Sequence, residues 1–323
     1  MAGLQGAAPG WVAFLEDRVG PDGEGMPVGQ WVRRRWGLSP TLYRRLKHGG
    51  GIWVNGRSVP AFHRLYPGDT VALALPSAAS ASPEPVPVPV VYEDGHLLVV
   101  DKPAGLVMHP ARGHPGGTLV NGVAHHRLAR GEPPWVHPVH RLDRDTSGLV
   151  LVAKNPYVHD RLLRRRWFGR WYVACVHGHV AACSGRVEVP ILDPEEGAAG
   201  TGPARTPGAG GRPACTRFRV AWRGELASRP VSVVVASLAT GRTHQIRVHM
   251  ASLGHPVWGD PLYGGPDPGG PRLWLHARKL WFVHPVTGRR HVLKSPLPAT
   301  LPLPDAPRGA LRPRGRCVSR QAE

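Results

Sequence analysis

The chain has 323 residues, 41% of them apolar, which is enough for one large domain and a small one with genuine cores. Disorder along the whole chain is therefore excluded. Lys and Arg number 41 against 22 Asp and Glu, giving a formal net charge of +19, so the surface should attract polyanions such as nucleic acids.

The cysteines and the apolar segments bear on where the protein acts. None of the cysteines has CxxC spacing, and their number is too small for a disulfide scaffold, so reduced thiols are expected at Cys175, Cys183, Cys215 and Cys317. The first residues lack the basic and apolar regions of a signal peptide, and no apolar run reaches roughly 18 residues. We therefore expect a cytoplasmic monomer without membrane contact.

Residues 1–76 are predicted to form a small, basic α/β module. Ser39 and Pro40 are typical of a helix start, and the helix should end at Gly49 and Gly50, before a strand in GIWVNG. No acidic residue occurs between Gly25 and Gly68. The predicted helix should therefore contact RNA phosphates through its cations, which are Arg44, Arg45 and Lys47.

Residues 77–90 alternate proline with small or β-branched residues, a composition typical of an extended linker. This segment divides the chain in two. The pattern predicts that the basic module is a tethered accessory, and that the second part, residues 91–304, folds around its own core.

The second part mixes strand patterns with helix patterns. Helix starts are expected at Thr118, at Asn155 and near Thr243, and apolar strand-like runs are LLVV, LVLVA, WYVACV, FRVAW and VSVVVASL. Strict alternation of strand and helix is lacking. The prediction is an α+β fold with a mixed, largely antiparallel sheet and flanking helices. Residues 194–213 should be a flexible insertion, and residues 305–323 a basic, disordered tail.

The densest polar cluster is HPVHRLDRDTSG at residues 137–148, directly before the apolar strand LVLVA. Extended through that strand, HRLDRDTSGLVLVAKN resembles the signature of the RluA/RluD family of RNA pseudouridine synthases. The likeness covers nearly all of 91–296 and continues, in the family's order, through YEDGHLLVVDKPAGLVMHP, RWYVACVHG, TGRTHQIRVHMASLGHPVWGDPLYGG and LHARKLWFVHP.

The resemblance implies a set of site residues and a reaction that needs neither metal nor cofactor. Asp143 would be the catalytic carboxylate, as a nucleophile towards the sugar or base, or as the base at C2′. Arg247 would keep Asp143 ionised and hold it bidentately. Tyr172 would stack on the uracil and assist proton transfer. Arg141 would enter the RNA stack that the flipped uridine leaves.

The N-terminal module is similar to the RNA-binding domain named after ribosomal protein S-four, through GLSPTLYRRLKHGGGIWVNGRSV and YPGDTVAL. Its presence beside a pseudouridine synthase implies a structured RNA partner. Large-subunit ribosomal RNA is the favoured substrate and transfer RNA is the second, because the family contains enzymes for both.

Other functions stay open at this point. Asp145 lies two residues after Asp143 and suggests the paired carboxylates of a glycoside or nucleoside hydrolase, although a solvated role is expected for it. An inactive RNA-binding relative would have lost Asp143 or Arg247, and both are present. A metal site is suggested only by scattered histidines that lack zinc spacing, so packing roles are expected for His109, His125, His126, His137, His140, His244 and His249.

Overall fold

The protein was studied as a computed structural model that describes residues 10–78, 81–111, 113–193, 204–264 and 272–298. Its N-terminal part is a four-stranded antiparallel sheet with two helices, and the strand order is β1-β4-β2-β3. The elements are β1 (Trp11–Arg18), α1 (Val28–Trp36), α2 (Pro40–His48), β2 (Ile52–Val54), β3 (Arg57–Ser58) and β4 (Thr70–Pro76).

Helix α2 begins where its sequence predicts. Pro40 occupies the first turn, and the Ser39 side chain accepts a hydrogen bond from the amide of Leu42 at 3.1 Å. This cap satisfies one of the amides that a helix start leaves unpaired. Leu42 and Leu46 are buried, while the cations of the helix face solvent.

Within the described residues, the second part has a ten-stranded sheet, three α-helices and a separate two-stranded sheet. Its elements are β5 (Val90–Glu93), β6 (Leu97–Lys102), α3 (Leu119–Leu128), β7 (His137–Pro138), β8 (Ser147–Ala153), α4 (Pro156–Arg165), β9 (Phe168–His177), β10 (Ser184–Val187), β11 (Ile191–Leu192), β12 (Thr206–Pro207), β13 (Thr216–Leu226), β14 (Arg229–Leu238), α5 (Gln245–Ser252), β15 (Leu275–Val283) and β16 (Arg290–Lys294).

The large sheet runs β10-β13-β14-β9-β15-β8-β6-β5, with β16 beside β15 and β7 beside β8. Its described pairs are antiparallel except β15 with β8, which is parallel. The prediction of a mixed, largely antiparallel α+β fold is confirmed. Gly148 permits the parallel pair, because a Cβ on it would lie 2.4 Å from the carbonyl oxygen of Ala277 and its φ is +114°.

The described part of the predicted linker, within residues 77–90, packs against the second part of the chain and is no free tether. The Glu84 amide donates to the Asn121 carbonyl at 3.2 Å, and the Glu84 carboxylate accepts from the Gly117 amide at 2.6 Å. The Val86 carbonyl lies so close to Gly122 that a Cβ there would be 2.6 Å from it. Composition predicts a linker here, but it could not indicate the surface against which the described residues pack.

The N-terminal module also contacts the catalytic part directly. The Trp135 indole donates to the Pro76 carbonyl at 3.0 Å, and its ring meets Phe14 edge to face with the centroids 6.4 Å apart. The Arg164 guanidinium of α4 donates to the Gly37 carbonyl at 2.7 Å. One cluster of buried apolar side chains contains residues of both parts. The expected picture of a tethered accessory is therefore wrong, since the module shares a core with its neighbour.

Replacing Phe14 with alanine tests this shared core. Phe14 is 8% exposed against Trp135, so Phe14→Ala should lower the free energy of unfolding by about 3 kcal/mol. Phe62→Ala is the matched control, because Phe62 is 78% exposed in the same module and should change stability by no more than about 0.5 kcal/mol. Denaturant unfolding measures both. Equal effects of the two substitutions would contradict a packed interface.

The predicted insertion at 194–213 is ordered where it is described. Residues Thr206–Pro207 form β12, which pairs with β11, and the Arg212 amide and carbonyl both hydrogen bond to Ile191. Residues 194–203 and the predicted tail at 305–323 lie outside the described residues. Among the helices described here, none has the length and apolar character needed to span a membrane.

Candidate active site

One cavity of about 200 Å³ brings the catalytic signature together with two distant segments. The loop between β7 and β8 supplies one wall, β9 supplies another, and the turn into α5 supplies the third. The lining residues are Val139, His140, Arg141, Leu142, Asp143, Thr146, Phe168, Arg170, Tyr172, Leu238, Gly241, Arg242, Thr243, His244, Gln245, Ile246 and Leu275. Asp143 is the one acidic residue among them.

Asp143 lies in a turn that ends at the start of β8. Its carbonyl accepts a hydrogen bond from the Thr146 amide at 3.2 Å, and its side chain is 18% exposed. The Oδ2 atom of Asp143 is 3.7 Å from Nη1 of Arg247. A partly buried carboxylate is thus placed beside a buried cation.

Arg247 does not hold Asp143 bidentately, and that expectation is corrected. Its Nε and Nη2 atoms each donate to Asp260 at 2.7 Å, so the edge of the guanidinium that forms paired hydrogen bonds is bound to Asp260. Asp143 lies near only the remaining nitrogen of the guanidinium, Nη1. Burial opposes the charge on Arg247, but the hydrogen bonds and the charge of Asp260, with the charge of Asp143, raise its pKa above the ordinary value.

Asp260 and Tyr263 also lie at the site, although the sequence analysis gave neither of them a role. Asp260 is fully buried, and besides Arg247 it accepts hydrogen bonds from the amides of Leu262 and Tyr263. The guanidinium of Arg247 lies 5.1 Å from the centroid of the Tyr263 ring. Both residues belong to GDPLYGG. The signal that could have found them is an acidic residue in the motif after Arg247, because a buried arginine needs an acidic partner.

Tyr172 lies on β9 and lines the same cavity as Asp143. Its side chain is buried. Burial raises the pKa of the Tyr172 hydroxyl, and Asp143 adds to this while Arg170 opposes it. The hydroxyl therefore stays protonated at neutral pH, close to the charge of Asp143.

Of the remaining predicted residues, one lines the cavity and the others lie outside it. Arg141 is exposed and lines the cavity. Asp145 is not a lining residue, and it pairs with Arg144 at 3.1 Å on the surface. The cations of α2, which are Arg44, Arg45 and Lys47, are exposed and lie outside the cavity, on a helix that packs beside α4.

Lys102 is a third residue that the sequence analysis did not single out. Its side chain is fully buried, and Nζ donates to the carbonyl oxygens of Pro103, Leu106 and Arg144 at 2.9, 2.8 and 2.7 Å. Arg144 directly follows Asp143, so the hydrogen bond from Lys102 to its carbonyl oxygen holds the turn that contains Asp143 in place. Burial lowers the pKa of Lys102 to about 7, although the charges of Asp145 and Asp143 favour the protonated form.

This burial predicts a pH dependence of stability. The unfolded chain releases the Lys102 proton near pH 10.4 and the folded chain near pH 7, so between these values only the unfolded chain holds the proton. The free energy of unfolding should therefore rise with pH across this window, by up to about 1.4 kcal/mol per pH unit. Lys102→Met removes this contribution.

The measurement is the difference in unfolding free energy between the wild type and Lys102→Met from pH 6 to pH 10. It should move in favour of the wild type as the pH rises. A constant difference would mean that the three carbonyl oxygens keep Lys102 protonated throughout.

Two of the predicted histidines, His140 and His249, have hydrogen-bonding or packing contacts in the buried interior. His140 accepts from the Leu151 amide at 3.2 Å and stacks on Phe168, while His249 bonds to Thr216 and to the Val189 carbonyl. Within the described ranges, no group of three or more His, Cys, Asp or Glu residues is arranged to hold a metal ion.

Comparisons with known proteins identify the class that this fold and cavity define. The family model described as RNA pseudouridylate synthase matches residues 96–252. The uncharacterized RNA pseudouridine synthase YjbO of Bacillus subtilis is 39% identical over 269 residues, covering 81% of this chain and 92% of that protein. The chain therefore belongs to the RNA pseudouridine synthase family and is an isomerase by class.

Further relatives give the type within the family. Ribosomal large subunit pseudouridine synthase D of Pseudomonas aeruginosa is 41% identical over 227 residues, covering 65% of this chain and 68% of that protein. Synthase C of Vibrio cholerae is 32% identical over 314 residues, covering 90% and 95%. The solved structure of human RNA Pseudouridylate Synthase Domain Containing 1 matches with a TM-score of 0.53 and 28% identity, covering 66% of this chain and 84% of the human chain. These matches confirm the RluA/RluD resemblance.

Proposed function

We propose that this protein isomerises uridine to pseudouridine in large-subunit ribosomal RNA, with Asp143 as the catalytic carboxylate. The observation that carries the proposal is that Asp143 is the one acid lining the cavity, beside an arginine that Asp260 fixes. Pseudouridine formation breaks the N-glycosidic bond, turns the uracil and joins its C5 to the same sugar carbon. N1 gains a proton and C5 loses one, so no co-reactant is consumed.

Each residue has a part in this scheme. Asp143 acts either as a nucleophile towards the sugar or base, or as the base that removes the C2′ proton. Arg247 places a positive charge beside the Asp143 carboxylate in a partly buried site, and its own position depends on Asp260. Tyr172 stacks on the base, and its protonated hydroxyl assists proton transfer. Neither a metal nor a cofactor is needed.

RNA recognition lies outside the cavity in this proposal. The uridine must leave its helix to reach Asp143, and Arg141 at the mouth fills the space that it leaves. The exposed α2 cations Arg44, Arg45 and Lys47 bind phosphates and set the register of the RNA. Because the module is packed on the catalytic part, this phosphate-binding surface is held at a fixed position relative to the cavity.

Ribosomal RNA is favoured over transfer RNA because the relatives from Pseudomonas aeruginosa and Vibrio cholerae are named as ribosomal large subunit synthases. Such a substrate places the protein in the cytoplasm, where we expect it to act as a monomer. A hydrolase is disfavoured because Asp145, which would be the second acid, pairs with Arg144 away from the cavity. An inactive RNA-binding relative is disfavoured because Asp143 and Arg247 are both present and adjacent.

Pseudouridine maps test the substrate. Ribosomal and transfer RNA should be compared from cells that have the gene, cells that lack it, and deletion cells that express either the wild type or Asp143→Asn. We expect one or more large-subunit positions to lose pseudouridine on deletion and to regain it only with the wild type. Loss confined to transfer RNA would contradict the ribosomal substrate.

A further inference from the structure

His244 precedes α5 and lines the same cavity as Asp143. Its backbone is left-handed, with φ 57° and ψ 16°, a conformation that costs a residue other than glycine on the order of 1 kcal/mol. Its side chain does not cap the helix. A reason why a histidine occupies this left-handed position must therefore come from the contacts of the imidazole ring.

The hydrogen bonds of Tyr263 determine which ring nitrogen of His244 carries the proton. The Tyr263 oxygen accepts from the Arg205 amide at 2.7 Å and lies 3.1 Å from Nδ1 of His244. If Nδ1 were the donor, the phenol would accept twice and its own proton would lack an acceptor among the described residues. The arrangement that satisfies every group has the Tyr263 hydroxyl donating to Nδ1, so the proton of His244 is on Nε2.

The Nε2 proton is left available for a ligand. Among the residues described here, the one hydrogen-bond partner of the His244 side chain is Tyr263, at Nδ1. Burial lowers the pKa of His244, with Asp143 opposing and Arg247 adding to the shift, so the ring is neutral at neutral pH. A neutral ring whose Nδ1 is occupied can only donate through Nε2.

We propose that the Nε2–H group of His244 donates a hydrogen bond to a carbonyl oxygen of the target uracil, which makes His244 a specificity residue. This inference rests on the function proposed above. Uracil presents carbonyl oxygens at C2 and C4, whereas cytosine shares the C2 carbonyl but presents an amino group at C4. The contact therefore selects uracil over cytosine when it is made at C4. A fixed donor pairs with a carbonyl, but it leaves an amino group unpaired in a confined site. Tyr263 is then a positioning residue that fixes the proton on Nε2.

Sulfur substitution in the RNA tests the contact. The substrate is the RNA fragment containing the mapped uridine, made with uridine, 2-thiouridine or 4-thiouridine at that position, because sulfur accepts hydrogen bonds poorly. Single-turnover rates at subsaturating enzyme give the ratio of each thio substrate to uridine. The wild type should be slowed about tenfold by sulfur at the contacted position. The thio substrate that is not slowed controls for the size of sulfur.

Two variants at position 244 complete the test. His244→Leu should lose about 30-fold on uridine, and it should no longer distinguish the thio substrates. His244→Gln keeps a donor near the position of Nε2, so it should retain most of the rate and the sensitivity to sulfur. If His244→Leu shows the same sensitivity as the wild type, or if neither sulfur slows the wild type, the inference is overturned.

Tyr263→Phe provides a test that leaves position 244 unchanged. Phenylalanine keeps a ring beside Arg247 but gives no proton to Nδ1, so the sensitivity to sulfur should fall by about threefold or more. Nitrogen NMR of the wild type should show Nδ1 of His244 unprotonated and Nε2 protonated, and the opposite tautomer would overturn the inference. A wild type that makes no pseudouridine in any RNA would instead contradict the proposed function itself.

Discussion

Asp143→Asn should lower the single-turnover rate constant by at least about a thousandfold, which corresponds to about 4 kcal/mol in the activation barrier. The amide keeps the shape of the side chain but can neither attack the sugar or base nor remove a proton from C2′. RNA affinity should stay within about twofold, because phosphate contacts from other residues dominate binding. Stopped reactions at saturating protein, followed by nucleoside analysis, give the rate.

Asp145→Asn is the matched control for this prediction. Asp145 is two residues away in the same turn, but its carboxylate pairs with Arg144 on the surface, 3.1 Å from Nε. Its loss should change the rate by no more than about twofold, since exposed ion pairs contribute little. If Asp145→Asn were the inactive variant and Asp143→Asn the active one, the assignment of the catalytic carboxylate would be wrong.

Arg247→Lys should lower the rate constant by about a hundredfold although it preserves the charge. The guanidinium serves two carboxylates at once, with two nitrogens on Asp260 at 2.7 Å and a third 3.7 Å from Asp143. An ammonium is a single point of charge and cannot reproduce this geometry. Asp260, which is fully buried, would lose part of its pairing, so the unfolding free energy should also fall by about 3 kcal/mol.

Arg186→Lys is the control, because Arg186 forms an exposed ion pair with Glu188 and does not line the cavity. It should leave the rate within about twofold of the wild type. An Arg247→Lys variant with a near wild-type rate and an unchanged melting temperature would show that point charge alone is enough at this position.

Features encoded by neighbouring residues could be predicted from the sequence. The cap of α2 depends on Ser39 and Pro40, which adjoin the helix, and the start of α3 depends on Thr118 in the same way. The turn that contains Asp143 could be singled out because it lies in a dense polar segment before an apolar strand. In these cases the sequence separation is short, so the residue types carry the information.

Contacts between distant segments could not be predicted. The Asp260 fork on Arg247 depends on how the chain returns after α5, and the docking of the linker depends on Gly122 of α3. The parallel pair of β8 and β15 joins Ser147 to His276, and no local pattern specifies that pairing. The Arg247 expectation failed for this reason: a motif names a cation and a carboxylate, but the fold decides which carboxylate receives the fork.

The central claim is that one carboxylate isomerises uridine without a metal or cofactor. Its most direct test is nucleoside analysis of large-subunit ribosomal RNA, labelled in its uridines, after incubation with wild-type protein that has been treated with a chelator and dialysed. We expect pseudouridine in the RNA and no free uracil, and Asp143→Asn should form neither. Free uracil would show hydrolysis, and unchanged uridine would show binding alone. Activity restored only by added metal would show metal dependence. Each of these results would contradict a metal-free isomerisation by Asp143.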